Sequence, residues 1–155
     1  MWRERPGKWS PEMSAALAKV LFIDDDTNLL AAVQRTLRRD YDLVTAAGPE
    51  EGLRALKEGG PFAAAVCDMQ MPGMDGLQVL AHCAKHFPDT TRIMMTGRTD
   101  QETAITAINR GHIFRFLCKP CGDVDLRATL EAAVRQYRLH TAERELMEQL
   151  SLIHI

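Results

Sequence analysis

The sequence lacks, near its start, an apolar run long enough to cross a lipid bilayer. The longest apolar window there runs from Ala15 to Ile23, is interrupted by Lys19 and leads directly into three aspartates. A membrane-spanning helix needs about 20 apolar residues, and no small-residue cleavage site follows this window. We therefore expect a cytoplasmic protein.

The sequence also lacks an excess of positive charge and a large set of cysteines. It has 19 lysines and arginines against 21 acidic residues, a formal net charge of −2. Binding to nucleic acid or to a membrane surface relies on a basic excess, so the composition favours neither partner. Only four cysteines occur in 155 residues, and 46% of the residues are hydrophobic. A chain of this kind buries an adequate core without a disulfide framework, so we expect free thiols.

Strand and helix patterns alternate through residues 18–137, which predicts an α/β fold with a doubly wound, five-stranded parallel sheet and helices on both faces. The predicted strands are Lys19–Ile23, Asp42–Ala46, Phe62–Cys67, Arg92–Thr96 and Ile113–Leu117. The predicted helices are Thr27–Arg39, Pro49–Lys57, Gly76–His86, Thr99–Arg110 and an extended C-terminal helix that begins near Asp123. Residues 1–17, with Trp2 and Trp9, match neither pattern and are interpreted as a flexible leader.

The last helix is predicted to continue beyond the domain. Leu139, Leu146 and Ile153 recur every seven residues among charged residues. Such a seam is typical of a coiled coil. Residues 138–155 are therefore interpreted as a helical linker or the start of a coiled coil, with a solvated tail as the alternative.

The chemistry-bearing residues follow the ends of the predicted strands. Asp24 and Asp25 end the first strand, Asp68 the third, Thr96 the fourth, and Lys119 the fifth. Parallel strands bring these residues to one edge of the sheet. Carboxylates about 4 Å apart repel by roughly 4 kcal/mol at an effective dielectric near 20, so the cluster favours a hard cation such as Mg²⁺. A metal, a carboxylate nucleophile, a hydroxyl and a lysine together indicate phosphoryl transfer to an aspartate.

Four segments resemble the receiver domain of two-component response regulators. They are Phe22–Asp26, Cys67–Gly76, Met94–Gly97 and Phe116–Pro120. The resemblance covers about residues 19–137 and implies a flavodoxin-like (βα)5 fold. It implies a phosphoprotein of phosphorelay signalling that receives its phosphoryl group from a sensor histidine kinase or phosphotransfer protein. The protein would not be an enzyme beyond self-phosphorylation and slow self-dephosphorylation.

The resemblance also implies roles for individual residues. Asp68 would be the phosphoacceptor. Asp25, Asp68 and the backbone carbonyl of Gln70 would hold Mg²⁺, with Asp24 acting mainly through water.

The resemblance implies roles for four further positions. Thr96 and Lys119 would contact it, and the bond between Lys119 and Pro120 would be cis. Phe116 matches the aromatic switch position, whose rotamer is coupled to the threonine. Phosphorylation would then alter the surface of the fourth helix, fifth strand and fifth helix.

The segments Gly111–Cys121 and Gln136–Leu139 are similar to receivers fused to HD-type phosphodiesterase or AAA+ regulator modules. No such output domain is recognisable in this chain. We expect a homodimer through the C-terminal helix or through the surface of the fourth helix, fifth strand and fifth helix. A change in that surface would then control an attached or partner output module.

Three alternatives remain open at this point. Asp24, Asp26 and Thr27 resemble the opening motif of haloacid-dehalogenase-type phosphatases, in which Asp24 would be the nucleophile and Asp26 the general acid; Asp68 would then go unused. Cys118 and Cys121 form a Cys-x-x-Cys pair that allows a minor redox interpretation. A degenerate receiver that takes no phosphate is disfavoured, because every expected site residue is present.

Overall fold

The computed structural model describes residues 18–153. The predicted leader, residues 1–17 with both tryptophans, and residues 154–155 lie outside the described residues.

Strands and α-helices alternate along the described chain. The strands are β1 (Lys19–Ile23), β2 (Asp42–Ala46), β3 (Ala64–Asp68), β4 (Thr91–Thr96) and β5 (Arg115–Cys118). The helices are α1 (Thr27–Leu37), α2 (Pro49–Gly59), α3 (Gly76–His86), α4 (Gln101–Asn109) and α5 (Asp123–Ile153), with a 3-10 turn at Arg98–Asp100 just before α4.

The sheet is parallel throughout, in the order β2-β1-β3-β4-β5. This confirms the predicted doubly wound α/β fold with a long C-terminal helix. β1 lies between β2 and β3, so the winding reverses there, and Ile23 pairs in register with Cys67. Ligands of open α/β sheets bind outside the carboxyl ends of the strands at such a switch point. The fold therefore places the residues after β1 and β3 at a binding edge.

Two apolar cores lie on opposite faces of the sheet. Val20 and Phe22 pack with α1 and α5, whereas Leu21 and Ile23 pack with α2, α3 and α4. Successive strand residues point to opposite faces, and helices cover both, so β1 is apolar at every position from Val20 to Ile23. Because helices cover both faces of the sheet, polar functional side chains are expected at the ends of the strands.

Two strands begin later than predicted. β3 runs Ala64–Asp68 instead of Phe62–Cys67, and β5 begins at Arg115 instead of Ile113. Phe62 and Ile113 are buried, at 1% and 3% exposure, but both contribute to the core before the strands start. Apolar content alone does not separate a strand residue from a buried residue beside it.

α5 extends well past the sheet. Its first half buries Leu126 and Leu130 in the core. Farther along, Arg144 forms an ion pair with Asp89 in the loop between α3 and β4. Beyond the sheet, Leu139 and Leu146 are 66% and 56% exposed. Within residues 18–153, α5 and the shorter helices all fall short of the length and apolar character that crossing a membrane demands.

Candidate functional site

Three carboxylates meet at the carboxyl edge of the sheet. Asp24 follows β1 and Asp68 ends β3, and the β1–β3 pairing brings them together with Asp25. One carboxylate oxygen from each of the three lies within 4.8 Å of the others. Asp24 and Asp68 are 2% and 6% exposed, whereas Asp25 is exposed. The three aspartates predicted to gather here are therefore adjacent.

Lys119 joins two of these carboxylates. Its Nζ lies 3.1 Å from Asp24 Oδ2 and 3.1 Å from Asp68 Oδ1. Its backbone N–H donates to the Thr96 carbonyl at 2.8 Å, which fixes the loop after β5 beside β4. The peptide bond between Lys119 and Pro120 is cis. Burial lowers the pKa of the Lys119 ammonium, but hydrogen bonds and attraction from the two carboxylates outweigh burial, so the pKa is raised.

The Asp68 carboxylate is buried beside a group of the same charge. Burial raises the pKa of its carboxyl group, and repulsion from Asp24 acts in the same direction. The Lys119 ammonium and the Gln70 backbone N–H oppose that rise without cancelling it. A carboxylate held in this way gains from a further positive charge nearby. The oxygen-only donors of Asp24, Asp25 and Asp68 suit a hard divalent ion such as Mg²⁺, so the residues present fit that metal.

Thr96 supplies a hydroxyl that is buried and unused. It ends β4, one residue beyond Met95, which pairs in register with Asp68. Thr96 is 0% exposed, and its Oγ1 has no hydrogen-bond partner among the described residues. Buried hydroxyls are normally bonded because the loss of water is costly. A donor left in this condition beside the carboxylate cluster points to a ligand that completes it.

The loop after β3 packs tightly against the phosphoacceptor candidate. Asp75 caps α3 in a capping box with Gln78, so the helix starts directly beside the strand end. A Cβ atom at Gly76 would lie 2.2 Å from the Asp68 carbonyl oxygen. Only glycine allows this approach, and Gly76 thereby fixes the backbone that carries Asp68.

The backbone of Gln70 faces the site, whereas its side chain contacts the turn before α4. Its backbone N–H lowers the pKa of the Asp68 carboxyl group. Its side-chain amide donates to Asp100 Oδ2 at 2.8 Å, across to the turn before α4. No periodic signal in the sequence pairs Asp100 with Gln70.

Phe116 lies in β5, half-buried, against the core on the α4 face of the sheet. Its neighbour Cys118 also contacts that face, because Gln101 Nε2 in α4 donates to Cys118 Sγ at 3.2 Å. Cys121 packs instead against the α1–α5 core. The two thiols therefore face opposite sides of the sheet, which argues against a direct disulfide between them in this conformation.

Asp26 does not take part in the carboxylate cluster. Its side chain accepts hydrogen bonds from the backbone of Asn28 and Leu29 and so caps α1. The side chain that the phosphatase alternative requires as general acid is therefore engaged in capping α1.

Comparison with known proteins agrees with this geometry. The family model described as "Response regulator receiver domain" matches residues 20–131. The hydrogenase transcriptional regulatory protein HoxA of Cupriavidus necator is 33% identical over 138 residues, covering 86% of this chain and 28% of that protein. A chain solved as an adenylate cyclase from Rhodopirellula baltica is 37% identical with a TM-score of 0.83, covering 85% of this chain and 98% of that chain.

A further solved structure is also similar to this chain. The signal receiver domain of an HD domain-containing protein from Pseudomonas fluorescens Pf-5 is 30% identical with a TM-score of 0.73, covering 79% of this chain and 98% of that chain. These matches lend no support to the phosphatase alternative. The chain spans less than a third of the length of the curated regulatory proteins HoxA and DctD that it matches.

Proposed function

We propose that this chain, which belongs to the response regulator receiver domain family, accepts a phosphoryl group on Asp68 and uses Thr96 and Lys119 to hold it. Receivers of this family take phosphoryl groups from histidine kinases, so a sensor histidine kinase or a phosphotransfer protein is the proposed donor. The chain would act as a signalling phosphoacceptor, with self-dephosphorylation as its only slow hydrolytic step. We place it in the cytoplasm, with no direct contact to nucleic acid or membrane.

One observation supports this assignment above the others. The buried Asp68 carboxylate lies 3.1 Å from Lys119 Nζ, with the oxygens of Asp24 and Asp25 within 4.8 Å. A phosphoryl group on Asp68 would therefore form within reach of a cation and of a metal-holding pair. Asp24 shares the burial and the lysine contact, but both of its oxygens are engaged, since Oδ1 accepts the Asp26 backbone N–H at 2.9 Å and Oδ2 accepts from Lys119 Nζ at 3.1 Å.

The transfer itself requires little covalent chemistry from the protein. A carboxylate oxygen of Asp68 attacks the phosphorus of a phosphohistidine, the P–N bond breaks, and the imidazole nitrogen keeps the electron pair and takes a proton from solvent. Asp25, Asp68 and the Gln70 carbonyl would hold Mg²⁺, with Asp24 acting mainly through water, and the ion would supply positive charge to the phosphoryl oxygens. Lys119, already bonded to Asp68, would follow the new anion and offset the extra negative charge of about one unit.

The unbonded hydroxyl of Thr96 would respond to that charge. It would donate to a phosphoryl oxygen and gain the hydrogen bond that it lacks. We propose that the half-buried Phe116 then turns inward and remodels the surface formed by α4, β5 and α5. A local charge change would thereby bias an element with two arrangements.

A second copy of the chain is the proposed partner of the distal half of α5. Leu139 and Leu146 are seven residues apart and are 66% and 56% exposed, and Leu150 is 42% exposed. Apolar residues at this spacing form the seam of a coiled coil when two helices meet. The attached or partner output module would lie beyond this helix.

Labelling with a small acyl phosphate tests the proposal. Incubation with Mg²⁺ and acetyl phosphate, borohydride reduction of the acyl phosphate and peptide mapping should identify Asp68. Asp68→Asn should take no label, whereas Asp42→Asn, at an exposed aspartate that starts β2, should be labelled like the wild type. Label on Asp24, or label that persists in Asp68→Asn, would refute the assignment.

A further inference from the structure

The start of α4 is held by two long-range side-chain hydrogen bonds. Gln70 Nε2 donates to Asp100 Oδ2 at 2.8 Å, and Gln101 Nε2 donates to Cys118 Sγ at 3.2 Å. Asp100 and Gln101 are adjacent at the point where the 3-10 turn becomes the helix. Two consecutive residues therefore tie the helix start to the loop after β3 and to the last residue of β5.

Both ties lead to residues of the proposed phosphoryl site. Gln70 lies two residues after Asp68, in the loop that follows β3. Cys118 directly precedes Lys119, the residue that bridges the carboxylates. A movement of either loop would thus be transmitted to the first turn of α4.

Asp100 gives up an ordinary role to make its contact. An aspartate that precedes a helix usually caps it by accepting hydrogen bonds from the first backbone N–H groups. Asp100 makes no side-chain cap hydrogen bond, and its carboxylate is committed to Gln70 instead. The first turn of α4 therefore depends on the contact with Gln70.

Packing gives α4 little support of its own. Its fully buried side chains are those of Ala104 and Ala107, and Ile105 is 49% exposed. Small side chains bury little apolar area. Polar contacts at the helix start therefore have more influence on its position than they would on a well-packed helix.

We propose that the Gln70–Asp100 and Gln101–Cys118 contacts form a clasp that couples the phosphoacceptor loop and the Lys119 loop directly to α4. This coupling is separate from the path through Thr96 and Phe116. It rests on the proposed function for its signal, since phosphorylation of Asp68 is what would move the two loops. The clasp holds the free-state position of α4 and opens when the loops rearrange.

Substitution of Gln70, first alone and then together with Asp100, tests the clasp. Gln70→Glu places a carboxylate against that of Asp100, so amide hydrogen exchange at residues 104–106 of the metal-free protein should accelerate about threefold to tenfold. Adding Asp100→Asn restores a donor–acceptor pair with the roles exchanged and should return exchange to the wild-type rate. Adding Glu102→Gln instead restores the same net charge at an exposed residue two positions away and should not return exchange to the wild-type rate. Equal exchange in Gln70→Glu with and without Asp100→Asn would overturn the proposal.

A second readout separates coupling from a merely local effect. Mg²⁺ with beryllofluoride, a phosphoryl mimic, should speed exchange at residues 104–106 in the wild type. The mimic should cause a smaller further change in Gln70→Glu, because the clasp is already open. A mimic-induced change as large as that of the wild type would contradict the clasp. If the wild type itself fails to bind the mimic, the proposed function fails, and the metal-free exchange measurements still decide whether the clasp exists.

Discussion

Replacing Thr96 with valine should stabilise the free protein and weaken its binding of a phosphoryl group. Thr96 is 0% exposed, and its Oγ1 has no hydrogen-bond partner among the described residues. A buried hydroxyl without a partner costs about 1–3 kcal/mol. Valine has nearly the same shape without the hydroxyl, so the free energy of unfolding should rise by about 1–3 kcal/mol.

Thr90 provides the matched control. It is 4% exposed, and its Oγ1 donates to the Phe62 carbonyl at 2.8 Å. Thr90→Val removes a hydrogen bond that is made, so it should lower the free energy of unfolding by about 1 kcal/mol. The same substitution at two buried threonines is thus expected to have opposite signs.

Urea unfolding in the absence of Mg²⁺ measures the stability difference, with the denaturant slope expected to stay unchanged. Titration with beryllofluoride and Mg²⁺ measures the cost to function. Loss of a hydrogen bond to a charged group is worth about 1.5–3 kcal/mol, which corresponds to about 10-fold to 150-fold weaker binding. A Thr96→Val protein that is less stable than the wild type would refute the view that this hydroxyl is kept unbonded for a ligand.

Two further predictions concern the cysteines and the C-terminal helix. At pH 8, iodoacetamide should alkylate the exposed Cys118 first and should reach Cys67 and Cys83 only after unfolding. Both of these thiols are buried, and burial raises the pKa of Cys83 to about 11. Mass spectrometry of timed samples measures the order of alkylation, and early loss of the Cys83 thiol would contradict the prediction. Leu146→Glu should convert a dimer into a monomer in sedimentation velocity experiments, whereas Glu145→Gln should not. A wild-type chain that is monomeric at 100-fold the assay concentration would count against pairing through α5.

The order of elements could be predicted from the sequence because each strand carries an apolar run and each helix a three-to-four-residue period. The edge of the sheet that carries Asp24, Asp68 and Lys119 followed from the same alternation, since parallel strands must end together. The limits of β3 were less accessible. Phe62 is as apolar and as buried as any strand residue, and Asp68 belongs to the strand despite its charge.

The contacts of exposed polar residues could not be predicted. Gln70 and Asp100 are 30 positions apart, and neither belongs to a repeating pattern. The helix-capping role of Asp26, by contrast, could be predicted from its position, although the phosphatase interpretation gave Asp26 a different role. An aspartate just before an apolar helical period is a typical N-cap, and the structure uses it so.

The length of α5 turns a small rearrangement near the site into a large one elsewhere. The helix begins just after the loop of Lys119 and Pro120 and continues for 31 residues, or about 46 Å at 1.5 Å per residue. A tilt of about 5° at its first turn would carry its far end roughly 4 Å sideways. The ion pair between Arg144 and Asp89 lies part-way along α5 and opposes such a tilt. A module attached at the far end of α5 would therefore change its position when Asp68 is phosphorylated.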